Sequence, residues 1–269
     1  DARTAPSLSL VPKEHGASFM SVHALLLGLV AGFAAGGRDL AGAVLALALG
    51  ALFLPITGAV SVLTHPRFAA AARRRLAILG TVAAVVGALA LVHGPRTELL
   101  AVGAAGAGLA GAYGALRRKT GPRSLPTQLA AIASICLLAP VTWLLVAGPD
   151  GPWALAAPAA FLSFGVTVPY VRARVQRRRL GEQTLGERLR GGTVALAWQV
   201  GALTLAAGAV VASAATIWLP IAYLPGVVKT FAGLGRPERR PPIKKIGYLE
   251  TVVSTVFAVL AGLGLGLAA

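Results

Sequence analysis

The chain has 269 residues, 56% of them hydrophobic and 13% charged, with a formal net charge of +16 at pH 7 and a mean hydropathy of +0.75. A water-soluble core cannot hide that much apolar surface, so a globular soluble protein is excluded. In a soluble chain +16 would point to nucleic acid. Here the cations flank apolar stretches and read as anchors for anionic lipid headgroups, which excludes nucleic acid as a partner.

A hydrocarbon core of about 30 Å is crossed by about 20 apolar residues. Stretches of that kind lie at 17–37, 40–63, 76–93, 98–116, 125–147, 152–171, 191–212, 214–233 and 246–268. Of the 25 Lys and Arg, all except Arg38 and Arg96 lie in or close to every second gap between them. That alternation is the positive-inside pattern, with the N-terminus cytoplasmic and the C-terminus outside. Residues 1–16 lack a short apolar region with a cleavage site and read as a cytoplasmic N-terminal segment. The longest polar gap is too short to bury a core of its own. The expectation is therefore an all-α, nine-helix membrane domain over 1–269, in a bacterial cytoplasmic (inner) membrane.

Lys13, Glu14 and His15 stand at the entrance of the first span. His23 follows His15 by eight residues, about 80° around a helix, so the two share a side only loosely. On the second span Thr57, Ser61 and Thr64 form a polar stripe expected to face the interior. His65 and Pro66 either end that helix, or His65 joins His15 and His23 as a candidate for a proton relay or haem ligation. The outer gaps are short, and His93 reads as an interfacial residue. Cys136 is the one cysteine and lies inside a span, which excludes an internal disulfide and a multi-cysteine metal site.

The inner gaps hold the charge. Residues 172–190 form an amphipathic cytoplasmic loop in which Val171, Val175, Leu180, Leu185 and Leu189 can share an apolar side. It reads either as a helix on the headgroups or as a lid over a pocket. The Pro/Arg-rich loop 234–245 reads as an extended connector. Lys229 and Glu250 fall near the cytoplasmic ends of the last two spans, where an antiparallel pair brings them together. They serve either as an ion pair orienting two helices or as part of a cavity. Gln128, Gln199 and Trp198 are further candidates for lining it.

Two resemblances follow from particular residues. Tyr113-Gly-Ala-Leu-Arg117-Arg118-Lys119-Thr120, with Gln128 downstream, resembles the Y-x-x-x-K-R-x-T segment of UbiA-type membrane prenyltransferases. Val11-Pro-Lys13-Glu14-His15-Gly-Ala17 resembles the PKEHGA opening of bacterial YwiC-like membrane proteins, and the chain is identified as a suspected member. The UbiA resemblance implies nine helices, N-in and C-out, around a cytoplasm-facing cavity. It also implies Asp-rich motifs after the second and sixth helices that hold Mg²⁺ on a diphosphate. The corresponding stretches here, Thr64 to Phe68 and Tyr170 to Arg174, contain no acid, and Mg²⁺ requires hard oxygen ligands. Mg-dependent prenyl transfer is therefore not expected.

A cavity rimmed by His65, Arg67, Arg73, Tyr113, Arg117, Arg118, Lys119, Gln128, Arg172 and Arg174 would instead take a phosphate or carboxylate directly, since Arg offers bidentate donors without a metal. An apolar space beneath it would suit an acyl or isoprenoid tail. Lys13, Glu14, His15, His23, Lys229 and Glu250 are the further polar candidates. No catalytic residue is assigned, because only Glu14 and Glu250 among the acids are placed for a cavity. An enzymatic role would be that of a UbiA-like transferase without the metal-binding aspartates. No metal or cofactor is expected; haem on His15, His23 or His65 is the alternative, without convincing ligand spacing. The other functional readings are an accessory subunit of a larger, for example respiratory, membrane complex, and a small-anion carrier.

Overall fold

The structure is a computed structural model that describes residues 15–62, 69–176, 183–236 and 243–269. At 15–18, 61–62 and 243–246 it describes the backbone alone. Every regular element among the described residues is helical. In chain order they are α1 (His15–Ala34), α2 (Leu40–Val62), α3 (Ala69–His93), α4 (Arg96–Thr120), α5 (Leu125–Cys136) and α6 (Leu138–Ala147). Then come α7 (Ala156–Gly165), α8 (Thr167–Gln176), α9 (Leu185–Gly191), α10 (Thr193–Val211), α11 (Trp218–Gly235) and α12 (Ile243–Gly266).

Among the described residues, seven segments are long and apolar enough to cross a membrane: Leu40–Val60, Ala69–His93, Arg96–Thr120, Leu125–Ala147, Trp153–Gln176, Thr193–Val211 and Gly247–Gly266. The expected first span contributes the shorter apolar run Phe19–Ala34. The expected eighth span is α11, which carries Lys229 and two prolines, Pro220 and Pro225.

Two of the long spans are broken, for a reason written in the sequence. Proline has no N–H to donate to the carbonyl four residues back. Pro140 therefore leaves the Cys136 carbonyl without its helical partner, and α5 stops at Cys136. Pro169 does the same to Gly165, and α7 stops at Gly165.

The helix ends are closed locally. Beyond α1, Gly36 takes φ +87°. The Gly36 and Gly37 amides donate to the Phe33 and Gly32 carbonyls, the Schellman arrangement that left-handed glycine permits. Asp39 caps α2, its Oδ1 accepting the Gly42 N–H at 2.8 Å. Its other oxygen meets His93 Nε2, at the end of α3, at 2.6 Å. The Gly42 amide, followed by His93, holds the Asp39 carboxyl below its ordinary value. His93, expected as an interfacial residue, thus ties the start of α2 to the end of α3. Thr184 and Glu187 form a capping box that opens α9.

The core is organised around α1, which packs against α12, α6, α2, α5 and α7. Ala24, Leu27 and Ala31 are fully buried there beside Trp143, Phe164, Phe257 and Leu265. Small residues let the backbones approach closely. A Cβ on Gly262 of α12 would lie 2.8 Å from Val30 Cβ and 3.0 Å from the Leu27 carbonyl oxygen. At the periphery α3 leans on α2, and α4 on α5 and α6. Only 6% and 11% of the apolar windows of α3 and α4 are buried.

Candidate functional site

Short α8 organises two polar clusters on opposite sides of itself. Thr167, Tyr170 and Arg174 recur at i, i+3 and i+7 and share one face. Arg172 stands about 200° round from Tyr170 and points elsewhere.

The first cluster lies among α7, α8, α10, α11 and α12. Lys229 Nζ and Glu250 Oε2 are 2.6 Å apart, with the side chains only 4% and 16% exposed. Thr167 Oγ1 also donates to Glu250 Oε2, at 3.2 Å. The Lys229 ammonium sits 5.2 Å from the Tyr170 ring centroid, in cation–π range. Arg174, itself buried, donates to the Gly233 carbonyl near the end of α11, where a cation complements the helix dipole. Nearby Gln199 donates to Thr230 Oγ1 at 3.2 Å. Tyr223 donates to the Ala159 carbonyl at 2.9 Å. A cavity of about 10 Å³ opens between them, lined in its polar part by Ser163, Gln199, Tyr223, Lys229, Glu250 and Ser254. Ionised groups taken out of water persist only when paired and hydrogen-bonded. This pair has both a partner and second contacts.

The second cluster joins the α4–α5 turn to α8. Arg172 Nη2 donates to the Arg123 carbonyl and, at 3.0 Å, to Gln128 Oε1. The rest of its guanidinium edge makes no hydrogen bond among the described residues. The same turn is fixed by hydroxyls. Ser124 caps α5 through the Thr127 N–H, and Thr120 Oγ1 lies 2.6 Å from Ser124 Oγ. Arg117, Arg118 and Lys119 occupy the last turn of α4. There Arg117 is half-buried, while Arg118 and Lys119 are exposed. Tyr113 lies one turn below, half-buried. Of the tract resembling UbiA-type enzymes, Gln128 meets Arg172, and Thr120 joins the hydroxyl cluster of the same turn.

The other expected residues are dispersed. Arg73 is exposed in the first turns of α3. Lys13, Glu14, His65, Arg67, Leu180 and Thr64 lie outside the described residues, and His15 is placed by its backbone alone. His23 is buried. Its Nδ1 is 2.6 Å from the Phe19 carbonyl, so that nitrogen carries a proton. Its Nε2 is 2.9 Å from Thr255 Oγ1. Among the described residues no three His, Cys, Asp or Glu side chains gather as metal ligands would. Trp198 donates to the Leu162 carbonyl at 2.8 Å, an ordinary interhelical contact. Thr57, expected to face the interior, bonds back to the Leu54 carbonyl of its own helix. In the stretch 172–190, Arg172 to Gln176 complete α8, and Thr184 opens α9.

Sequence reading missed Thr167 and Tyr170 as contacts of the ion pair, and Ser163 and Ser254 as residues lining the cavity beside it. The signal was available: Ser163/Thr167 and Glu250/Ser254 are i, i+4 polar pairs inside apolar spans, and such pairs share a helix face.

The family model described as YwiC-like protein matches residues 11–143. The match takes in α1 through most of α6 and stops before Arg172, Lys229 and Glu250. No curated protein matches, and no solved structure matches.

Proposed function

We propose that this YwiC-like chain is a nine-span protein of the bacterial cytoplasmic membrane, N-terminus in and C-terminus out, that binds the anionic headgroup of a membrane lipid at its basic end. The observation that carries the proposal is Arg172. Its guanidinium is pre-positioned by the Arg123 carbonyl and Gln128, beside a turn that also supplies Arg117, Arg118 and Lys119. An Arg held through one amino group keeps its other edge for a phosphate or carboxylate, and charge-assisted contacts of that kind are strong. Lipid supplies such groups at the inner surface, where anionic headgroups concentrate. An isoprenoid or acyl tail would lie along the apolar helices beneath.

The likeness to UbiA-type enzymes supports binding and no more. Where those enzymes carry acids after the sixth helix, this chain has Tyr170 under Lys229, Arg172 on Gln128 and Arg174 on the Gly233 carbonyl. No transfer reaction is therefore proposed.

The test is a lipid titration of the detergent-solubilised protein, followed by thermal unfolding. A ligand that binds only the folded state stabilises it by about 2.7 kcal/mol at 100 times its Kd. Anionic lipid is expected to raise the unfolding midpoint of the native chain, and zwitterionic lipid to leave it unchanged. Arg172→Ala is expected to abolish the difference, and equal stabilisation of both proteins would refute the site.

A second reading, an accessory subunit of a larger membrane complex, draws on the barely buried faces of α3 and α4. Purification from the membrane in mild detergent tests it. A stoichiometric membrane partner retained by the chain and lost when bulky residues replace Gly103 and Gly111 would support it, and a chain that purifies alone would refute it.

A further inference from the structure

The Lys229–Glu250 cluster lies on the other face of α8 from Arg172, and it holds an imbalance. Glu250 Oε2 accepts from both Lys229 and Thr167. Glu250 Oε1 is buried and has no hydrogen-bond partner. A buried carboxylate oxygen without a donor is costly, and such atoms in folded proteins are nearly always satisfied by protein or by ordered water. Glu250 lines the cavity of about 10 Å³, and among the other lining residues Ser163, Ser254 and Gln199 carry polar side chains. That volume is close to what one water molecule requires, and an internal water needs two to four polar partners.

The charge of the site selects among occupants. A cation would meet the Lys229 ammonium, which is 2.6 Å from the carboxylate it would share. An anion would meet the free carboxylate oxygen. The charges of the pair cancel, so the occupant is a neutral hydrogen-bond donor, and the size admits water. We propose that the structure assigns an internal water site here, with the water donating to Glu250 Oε1 and exchanging hydrogen bonds with Ser163, Ser254 and Gln199. The ion pair is then hydrated inside the bundle, and the site is independent of headgroup binding at Arg172. Either proposal can fail without the other.

Radiolytic hydroxyl-radical footprinting tests the site, because radicals formed from a bound water modify the side chains beside it. Tyr223 and Phe257 line the cavity yet are only 3% and 1% exposed. Phe164 is equally buried and does not line it. In the native chain Tyr223 and Phe257 are expected to be modified several-fold faster than Phe164. Ser254→Val, which fills the space and removes a partner, should bring them down to the Phe164 rate. Equal rates in the native chain would overturn the proposal, and so would modification that survives in folded Ser254→Val. Should that variant fail to fold, the native comparison with Phe164 still decides.

Discussion

Removing one member of the buried pair is the most informative perturbation of this fold. Lys229→Met takes away the ammonium 2.6 Å from Glu250 and leaves Thr167, at 3.2 Å, as the carboxylate's one protein donor among the described residues. Breaking a buried pair from one side costs about 3–5 kcal/mol, because the other charge stays desolvated. The lower end is expected here, since a chain unfolded in a micelle also finds polar partners. Glu250→Gln should cost less, about 1–3 kcal/mol for one imperfectly satisfied group. Lys229 retains the face of Tyr170 at 5.2 Å, and the amide can still accept from Thr167. The double variant should cost less than the sum of the singles, with a coupling energy of about 1–3 kcal/mol. Unfolding titrations in mixed micelles of increasing denaturing-detergent fraction measure all four proteins. Single variants that each cost under about 0.5 kcal/mol, the level of surface substitutions, would refute the reasoning. A strictly additive double variant would refute it as well.

Other consequences can be checked in the same way. Gly262→Ala places a methyl against Val30 and the Leu27 carbonyl and should destabilise by about 1–3 kcal/mol. Gly108→Ala on α4 meets nothing within 4 Å and should be neutral or stabilising by up to about 1 kcal/mol; thermal unfolding in detergent compares the two. Asp39→Ala removes the α2 cap and its His93 contact and should cost about 1 kcal/mol. Because Asp39 titrates below its ordinary value in the folded state, the carboxylate's contribution is present above that ordinary value. It is lost as pH falls through the depressed one. Unfolding midpoints of the native chain and Asp39→Asn should therefore converge at the acid end of a titration from about pH 6 to about pH 2. A gap that persists there would contradict the assignment.

The long helices were legible because apolar length and flanking charge mark membrane spans almost independently of tertiary packing. The expected segment 40–63 is α2 within a residue, and 125–147 spans α5 and α6. The breaks at Cys136 and Gly165 were not foreseen, although Pro140 and Pro169 specify them. Whether a membrane proline kinks a helix or divides it depends on what re-satisfies the freed carbonyl, and Pro55 and Pro225 leave α2 and α11 continuous. Lys229 and Glu250 were legible as a pair, since antiparallel connection by a short gap sets their depths. Their surroundings were not. Arg172 and Arg174 read as neighbours on one basic rim, whereas helical rotation sends Arg172 to Gln128 and Arg174 to the Gly233 carbonyl. A run of charges at one end of a bundle reveals which side it faces and hides which helix face each residue occupies.

The central claim, anionic headgroup binding at Arg172, is tested most directly by native mass spectrometry of the gently extracted protein, with the lipids released and identified from the same sample. The account predicts a specifically retained lipid with an anionic head, present in the native chain. It should be lost in Arg172→Ala and weakened in Gln128→Ala, whose loss frees the Arg172 guanidinium from one of its two anchors. Retention of the same lipid by Arg172→Ala, or a native chain that carries none, would contradict it.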